Sequence, residues 1–254
     1  MLYLTLSLLL AICFSLGIAD GRDKMFGYAL IAVMTVHLTV LLALRWIVSG
    51  HVPLSNGYET MQFLAWSVLL MTMLMARRFP IVMGFGPLLA SFALLVAMIG
   101  SGSPQITPLM PVLHSPLLSV HVMVIMFSYA LFALMMLVGV QGVICHRSGN
   151  LEKEESLAAL SRLMLYPAVF FLTIGIFIGA VWANVSWGRY WSWDPKEVWA
   201  LITMLVYSAP LHAASLRKFR SPSFFHWYCI LAFLSVLVTY FGVNFILGGM
   251  HSYA

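Results

Sequence analysis

The chain has 254 residues, 62% hydrophobic and 8% charged, with a mean hydropathy of +0.98; soluble domains hold about 45–50% apolar and about 25% charged residues, so this composition is that of a membrane protein. Thirteen Lys and Arg against eight Asp and Glu give a formal charge of +5, but these few, scattered cations cannot line a nucleic-acid groove, and no nucleic-acid partner is expected. Cys13, Cys145 and Cys229 lie in apolar runs without CxxC or CxxCH spacing, which excludes a disulfide framework, a dithiol motif and a covalent haem-attachment motif and leaves buried thiols.

Crossing a ~30 Å hydrocarbon layer takes about 20 apolar residues in a helix, because lipid offers the backbone no hydrogen-bond partner. Eight segments qualify, near 1–19, 25–48, 58–76, 80–99, 116–144, 163–183, 195–216 and 224–248. The first lacks the basic start of a signal peptide, and Asp20-Gly21-Arg22-Asp23-Lys24 leads directly into the second, so it reads as a helix. Asn56-Gly57-Tyr58-Glu59 and Asp194-Pro195-Lys196-Glu197 read as capping boxes, and Ser115-Pro116 as a cap followed by proline at the first helical position. Gly175 and Gly179 form a GxxxG that marks a close helix contact. The segment 147–162, with Glu152-Lys153-Glu154-Glu155, reads as a solvated inner loop or short helix.

Basic residues in short loops are retained on the cytoplasmic side. Arg22, Lys24, Arg77, Arg78, Arg147, Lys153, Arg162, Arg217, Lys218 and Arg220 follow odd-numbered helices, while Arg45, Arg189 and Lys196 lie opposite. The expected architecture is therefore an all-α polytopic membrane bundle of about eight transmembrane helices, both termini outside, forming one domain over 1–254 with a covered outer pocket.

Five of the eight tryptophans fall within 182–199. An interfacial belt is one reading, since Trp and Tyr anchor membrane proteins at headgroup level. The other is a platform for a large flat apolar ligand, because five in eighteen residues is denser than anchoring requires. Asp194 and Glu197 serve as helix caps without any ligand, and Arg189 and Lys196 either pair with those acids or meet a ligand's carboxylates.

His51, His114, His121 and His251 map outside. His121 lies about 8 Å along the fifth helix from Pro116, and His251 follows Gly248-Gly249 at the outer end of the last. Two neutral imidazoles approaching one flat ligand suit the axial positions of a haem iron. His212, 15 residues beyond Glu197, lies roughly 22 Å further inward and belongs to a separate site, which His37 or His226 would complete unless they are packing residues. His146 and His226 read as inner-surface residues, His51 and His114 as solvated loop histidines.

The stretch Trp187-Gly188-Arg189-Tyr190-Trp191-Ser192-Trp193-Asp194-Pro195-Lys196-Glu197-Val198-Trp199 resembles the tryptophan-rich WWD signature of haem-handling proteins in cytochrome c biogenesis, in its CcsA/ResC form. Gly50-His51-Val52-Pro53-Leu54-Ser55-Asn56-Gly57-Tyr58-Glu59, Ser115 through His121 before Ser128-Tyr129-Ala130, Leu211-His212, and Gly242-Val243-Asn244 leading to Gly249-Met250-His251-Ser252-Tyr253-Ala254 are similar to the same branch. Leu117 departs from it, standing where many relatives carry tryptophan.

The resemblance implies haem b as cofactor, with His121 and His251 as axial iron ligands at the outer WWD site and His212 as a transmembrane iron ligand. Trp187, Trp191, Trp193 and Asp194 would form the platform, and Arg189 or Lys196 would meet the propionates. It also implies a ResB/CcsB-like membrane partner that supplies the other transmembrane ligand, with His37 the candidate within this chain. The client would be an apocytochrome c whose CxxCH thiols form thioethers with the haem vinyl groups, the whole acting as a cytochrome c synthase. The setting would be a bacterial cytoplasmic membrane with the 182–199 loop on the periplasmic side. Three other readings stay open on the residues: a haem-b electron-transfer subunit handling quinone, a transporter or channel gated by the aromatic loop, and a CcmC-like protein passing haem to a chaperone.

Overall fold

The computed structural model describes residues 2–16, 18–100, 105–106 and 113–247. Among them there is no strand, and eight α-helices run in chain order: α1 (Leu2–Leu16), α2 (Gly21–Ser49), α3 (Gly57–Ala76), α4 (Val82–Ile99), α5 (Pro116–Arg147), α6 (Leu151–Trp187), α7 (Pro195–Ser208) and α8 (Pro222–Leu237). A π-helical stretch, Val238–Leu247, continues α8.

Among the described residues six helices are long and apolar enough to cross a bilayer: α2 to α6, and the helix over Pro222–Asn244. The chain is an all-helical integral membrane protein. α1, at 15 residues, and α7, at 14, are shorter than the spans expected there. The later part of the seventh segment is a 3₁₀ turn, Ala209–His212, because Pro210 has no N–H to donate and its ring obstructs further α-helix. At the other extreme, α6 is one helix of 37 residues, so the acidic stretch before residue 163 is helix and not loop.

The helices form two compact units, Met1–His114 and Ser115–Ala254. In the first, α4 packs on α3 and α1, and α2 lies against α3 and α4. In the second, α5 and α6 form an antiparallel hairpin closed by three residues, against which α8 and α7 pack. Lipid tails are as apolar as leucine, so helices associate in a bilayer mainly through close packing at small residues. A Cβ on Gly84 of α4 would stand 2.6 Å from the Ala11 Cα of α1, and one on Gly139 of α5 would stand 2.9 Å from the His226 carbonyl oxygen of α8.

The helix starts are built as their sequences dictate. Asp194 accepts from the Lys196 N–H, and Glu197 reaches back to the Asp194 N–H, completing the expected capping box. Asp20 and Asp23 form another at the start of α2. At α3, Asn56 caps the Glu59 N–H, but the Glu59 carboxylate turns to the Ser55 N–H and hydroxyl, both at 2.7 Å, and to Arg45 Nε at 2.6 Å. Ser115 precedes α5 without a side-chain cap, Pro116 holding the first helical position as expected.

Candidate functional site

His121, in the second turn of α5, faces the paired glycines of α6. Its Nδ1–H donates to the Gly175 carbonyl at 2.6 Å. A Cβ on Gly179 would come within 2.6 Å of His121 Cε1, and one on Gly175 within 2.5 Å of Ile125 Cδ1, one turn further along α5. The GxxxG is thus the close helix contact expected, and one purpose of the closeness is to seat an imidazole. Committing Nδ1–H to a backbone carbonyl fixes the tautomer and leaves Nε2 as the nitrogen with the lone pair, the arrangement found behind metal-binding histidines.

The tryptophans lie further along the same helix. From Gly179 the α-helical rise puts Trp182 about 4.5 Å and Trp187 about 12 Å onward. Trp182 is buried and meets Trp187 edge to face, with ring centroids 4.7 Å apart at 70°. Beyond Gly188, which caps α6 at φ +73°, the chain enters the short loop to α7. Trp191 is half-buried and meets the exposed Trp193 at 5.9 Å and 88°.

Trp193 has φ +58°, the one positive value among the described non-glycine residues. A left-handed backbone brings the Cβ of an L-residue against the following carbonyl, so it persists only where neighbours enforce it. Glu197 is the enforcer. Its carboxylate accepts from the Ser192 N–H at 2.9 Å and hydroxyl at 3.3 Å and from the Asp194 N–H at 3.2 Å, gripping the residues on both sides of Trp193. The result is an indole 71% exposed on a fixed stem. Asp194 is itself buried and acts as the cap.

The two cations differ. Arg189 is exposed. Lys196, half-buried, donates from Nζ to Asn244 Oδ1 at 2.8 Å, a partner 48 residues away that neither sequence-based alternative named.

The remaining histidines stand in different local settings. His212 is exposed at the end of the 3₁₀ turn, its Nδ1–H donating to the Ser208 carbonyl at 3.1 Å. Arg220 ties the following loop by donating to the Ala213 and Ala214 carbonyls. His37 is exposed on α2, 3.3 Å from the Tyr3 hydroxyl. His226, expected on the inner surface, is fully buried because Gly142 leaves room for its ring, and its Nε2–H donates to the Glu154 carbonyl at 3.1 Å. The Glu154 carboxylate is buried too, 3.0 Å from His146 Nδ1. His51 departs from a solvated loop histidine: its Nδ1–H donates to the Val52 carbonyl and its Nε2 is enclosed, with the exposed His114 edge-on at 6.4 Å. His251 lies outside the described residues. Among the described residues no three His, Cys, Asp or Glu side chains gather into a metal cage.

Fold and site together define a polytopic helical membrane protein that holds an aromatic loop rigidly at one end of a helix pair. Comparison makes the class specific. The model of the cytochrome c assembly protein family matches residues 54–251, and the chain belongs to that family. It is 38% identical to the cytochrome c biogenesis protein CcsA of Chlamydomonas reinhardtii, over 88% of this chain and 67% of that protein, and 38% identical to CcsA of Parasynechococcus marenigrum, over 88% and 85%. NrfI of Wolinella succinogenes is 39% identical over 91% of this chain, which spans 26% of NrfI's length. Among solved structures, the cytochrome c heme lyase CcmF superposes with a TM-score of 0.70 at 20% identity, over 93% of this chain and 44% of that one. A role in cytochrome c maturation follows from the family.

Proposed function

We propose that the chain binds haem and presents it to apocytochrome c for attachment at CxxCH, together with a ResB/CcsB-like membrane partner. The observation that carries this reading is His121. A buried carbonyl holds one of its nitrogens, and the nitrogen with the lone pair stands on the α5–α6 hairpin that bears the tryptophan-rich loop. The donor chemistry fits haem b, whose iron would take imidazole nitrogens from the protein. His121 and His251 are the proposed outer pair. His212, with Nδ1 committed and its ring exposed, is the proposed ligand on the other side.

When bound, haem supplies the vinyl groups that cytochrome thiols attack. The chain's own residues contribute position. Glu197 fixes the Trp193 backbone, so the indole is set before any ligand arrives, and pre-organised contacts do not have to be ordered at the moment of binding. Arg189 is the cation proposed for a propionate, Lys196 being engaged with Asn244. His37 stays a candidate transmembrane ligand. In the proposed orientation the loop lies on the periplasmic face of a bacterial cytoplasmic membrane, both termini outside.

The test is co-expression with a CxxCH apocytochrome and the ResB/CcsB-like protein. Covalent haem should form on the cytochrome, fall in His121→Gly and His251→Gly, and partly recover with added imidazole. Full maturation and unchanged haem spectra in both variants would end the ligand assignment. His212→Ala should lower the total haem acquired.

A further inference from the structure

Arg147, the last residue of α5, is exposed, and its guanidinium carbon lies 6.0 Å from the centroid of the Trp227 ring in the second turn of α8. That is the outer reach of a cation–π contact, and among the described residues no carboxylate pairs with this guanidinium. One helix ends where the other begins, so the two run antiparallel. Val140, Ile144 and Arg147 fall at i, i+4 and i+7 of α5. Trp227, Leu231 and Leu234 repeat the spacing on α8, and each set occupies roughly 60° of its helix surface. The five apolar members are 38–59% exposed, so both stripes face lipid. The meeting of Arg147 with Trp227 puts them on the same flank of the helix pair, and both lead away from Arg147 for about 10 Å. They are the two sides of one apolar furrow, headed by a cation and an indole.

More positive charge stands at that head. Arg217 and Lys218, both exposed, lie in the 3₁₀ turn Arg217–Arg220 just ahead of α8. Phe219 pins the turn to α8, edge to face with Phe224 at 5.3 Å and Tyr228 at 4.7 Å, and Arg162 donates to the Phe219 carbonyl at 2.6 Å. Tryptophan favours the headgroup level of a bilayer, basic side chains beside it attract anionic lipid, and the furrow offers apolar wall to an acyl chain. A zwitterionic headgroup would bring an ammonium that the same cations repel. We propose that the α5–α8 furrow binds an anionic phospholipid, its phosphate at Arg147 and an acyl chain along Ile144 and Leu231.

The test places the full chain in detergent micelles carrying phosphatidylglycerol or phosphatidylcholine with brominated acyl chains, which quench the fluorescence of indoles they touch. Subtracting the signal of Trp227→Phe isolates Trp227. Phosphatidylglycerol should quench it at a lower concentration than phosphatidylcholine. A basic residue beside the membrane surface changes affinity for anionic lipid about fivefold. Arg147→Gln should therefore raise the phosphatidylglycerol needed about fivefold, whereas Arg77→Gln, which removes an exposed cation after α3, should leave it unchanged. Inorganic phosphate at matched ionic strength should not relieve the quenching. Equal quenching by the two lipids, equal losses in Arg147→Gln and Arg77→Gln, or relief by phosphate would overturn the site. So would a Trp227 that neither lipid quenches, the result expected of a face covered by protein.

Discussion

At an ordinary position, replacing alanine with glycine costs about 0.5–1 kcal/mol, because the unfolded chain gains freedom. Position 193 should reverse that sign. Its left-handed backbone, φ +58°, charges any L-residue about 1–2 kcal/mol and glycine almost nothing. Trp193→Ala and Trp193→Gly lose the same indole, so side-chain terms cancel between them. The glycine variant should then be the more stable by roughly 0.5–1 kcal/mol, or about 1–4 °C in melting temperature for a chain of this size. Thermal unfolding of the two variants in one detergent measures it, and Glu197→Gln should shrink the gap by loosening the Ser192 and Asp194 contacts. Both variants should lower cytochrome maturation equally, since neither offers an indole. An alanine variant as stable as the glycine variant would refute the claim that the loop is held under strain.

Gly179→Ala should push the His121 ring off its seat, the new Cβ falling 2.6 Å from Cε1; about 1–3 kcal/mol of overpacking and a maturation defect like that of His121→Gly are expected, checked by melting and by the haem spectrum. At the start of α2, the N–H groups of Asp23 and Arg22 hold the Asp20 carboxyl below its ordinary value. That cap is complete above the ordinary carboxylate range and is lost as pH falls through the lowered value, so the protection of the residue 22–23 amides, taken relative to the intrinsic exchange rate at each pH, should fall in acid. Asp20→Asn should abolish that pH dependence.

Much of this was legible from residue types alone. Asp194-Pro195 and Ser115-Pro116 mark helix starts because proline at the first turn forgoes a donor that would be unpaired anyway, and the GxxxG announced a close contact without naming its occupant. Besides α1, hydropathy misjudged lengths at two places, for different reasons. Residues 195–216 average as apolar, yet Pro210 was a visible stop. Glu152 to Glu155 look solvated by composition, whereas Glu154 is buried against His146 on an extension of α6. What no local pattern carries is pairing at long range. Lys196 with Asn244 and Glu154 with His226 depend on which helices become neighbours, whereas the Glu197 carboxylate that holds Trp193 left-handed acts within the local capping box. His226 had one overlooked sign, the small residues Gly139 and Gly142 on the helix that receives it.

The unbroken run of α6 has a mechanical corollary. At ~1.5 Å per residue its 37 residues measure about 55 Å, against roughly 30 Å of hydrocarbon. A helix of that length exceeds the hydrocarbon it would cross, with the Glu154–His146 pair near one end and Trp187 at the other. Pro167 lies within that run and removes one backbone hydrogen bond, so the acidic end and the indole-bearing end are joined through helix alone, with a bending point between them and no loop.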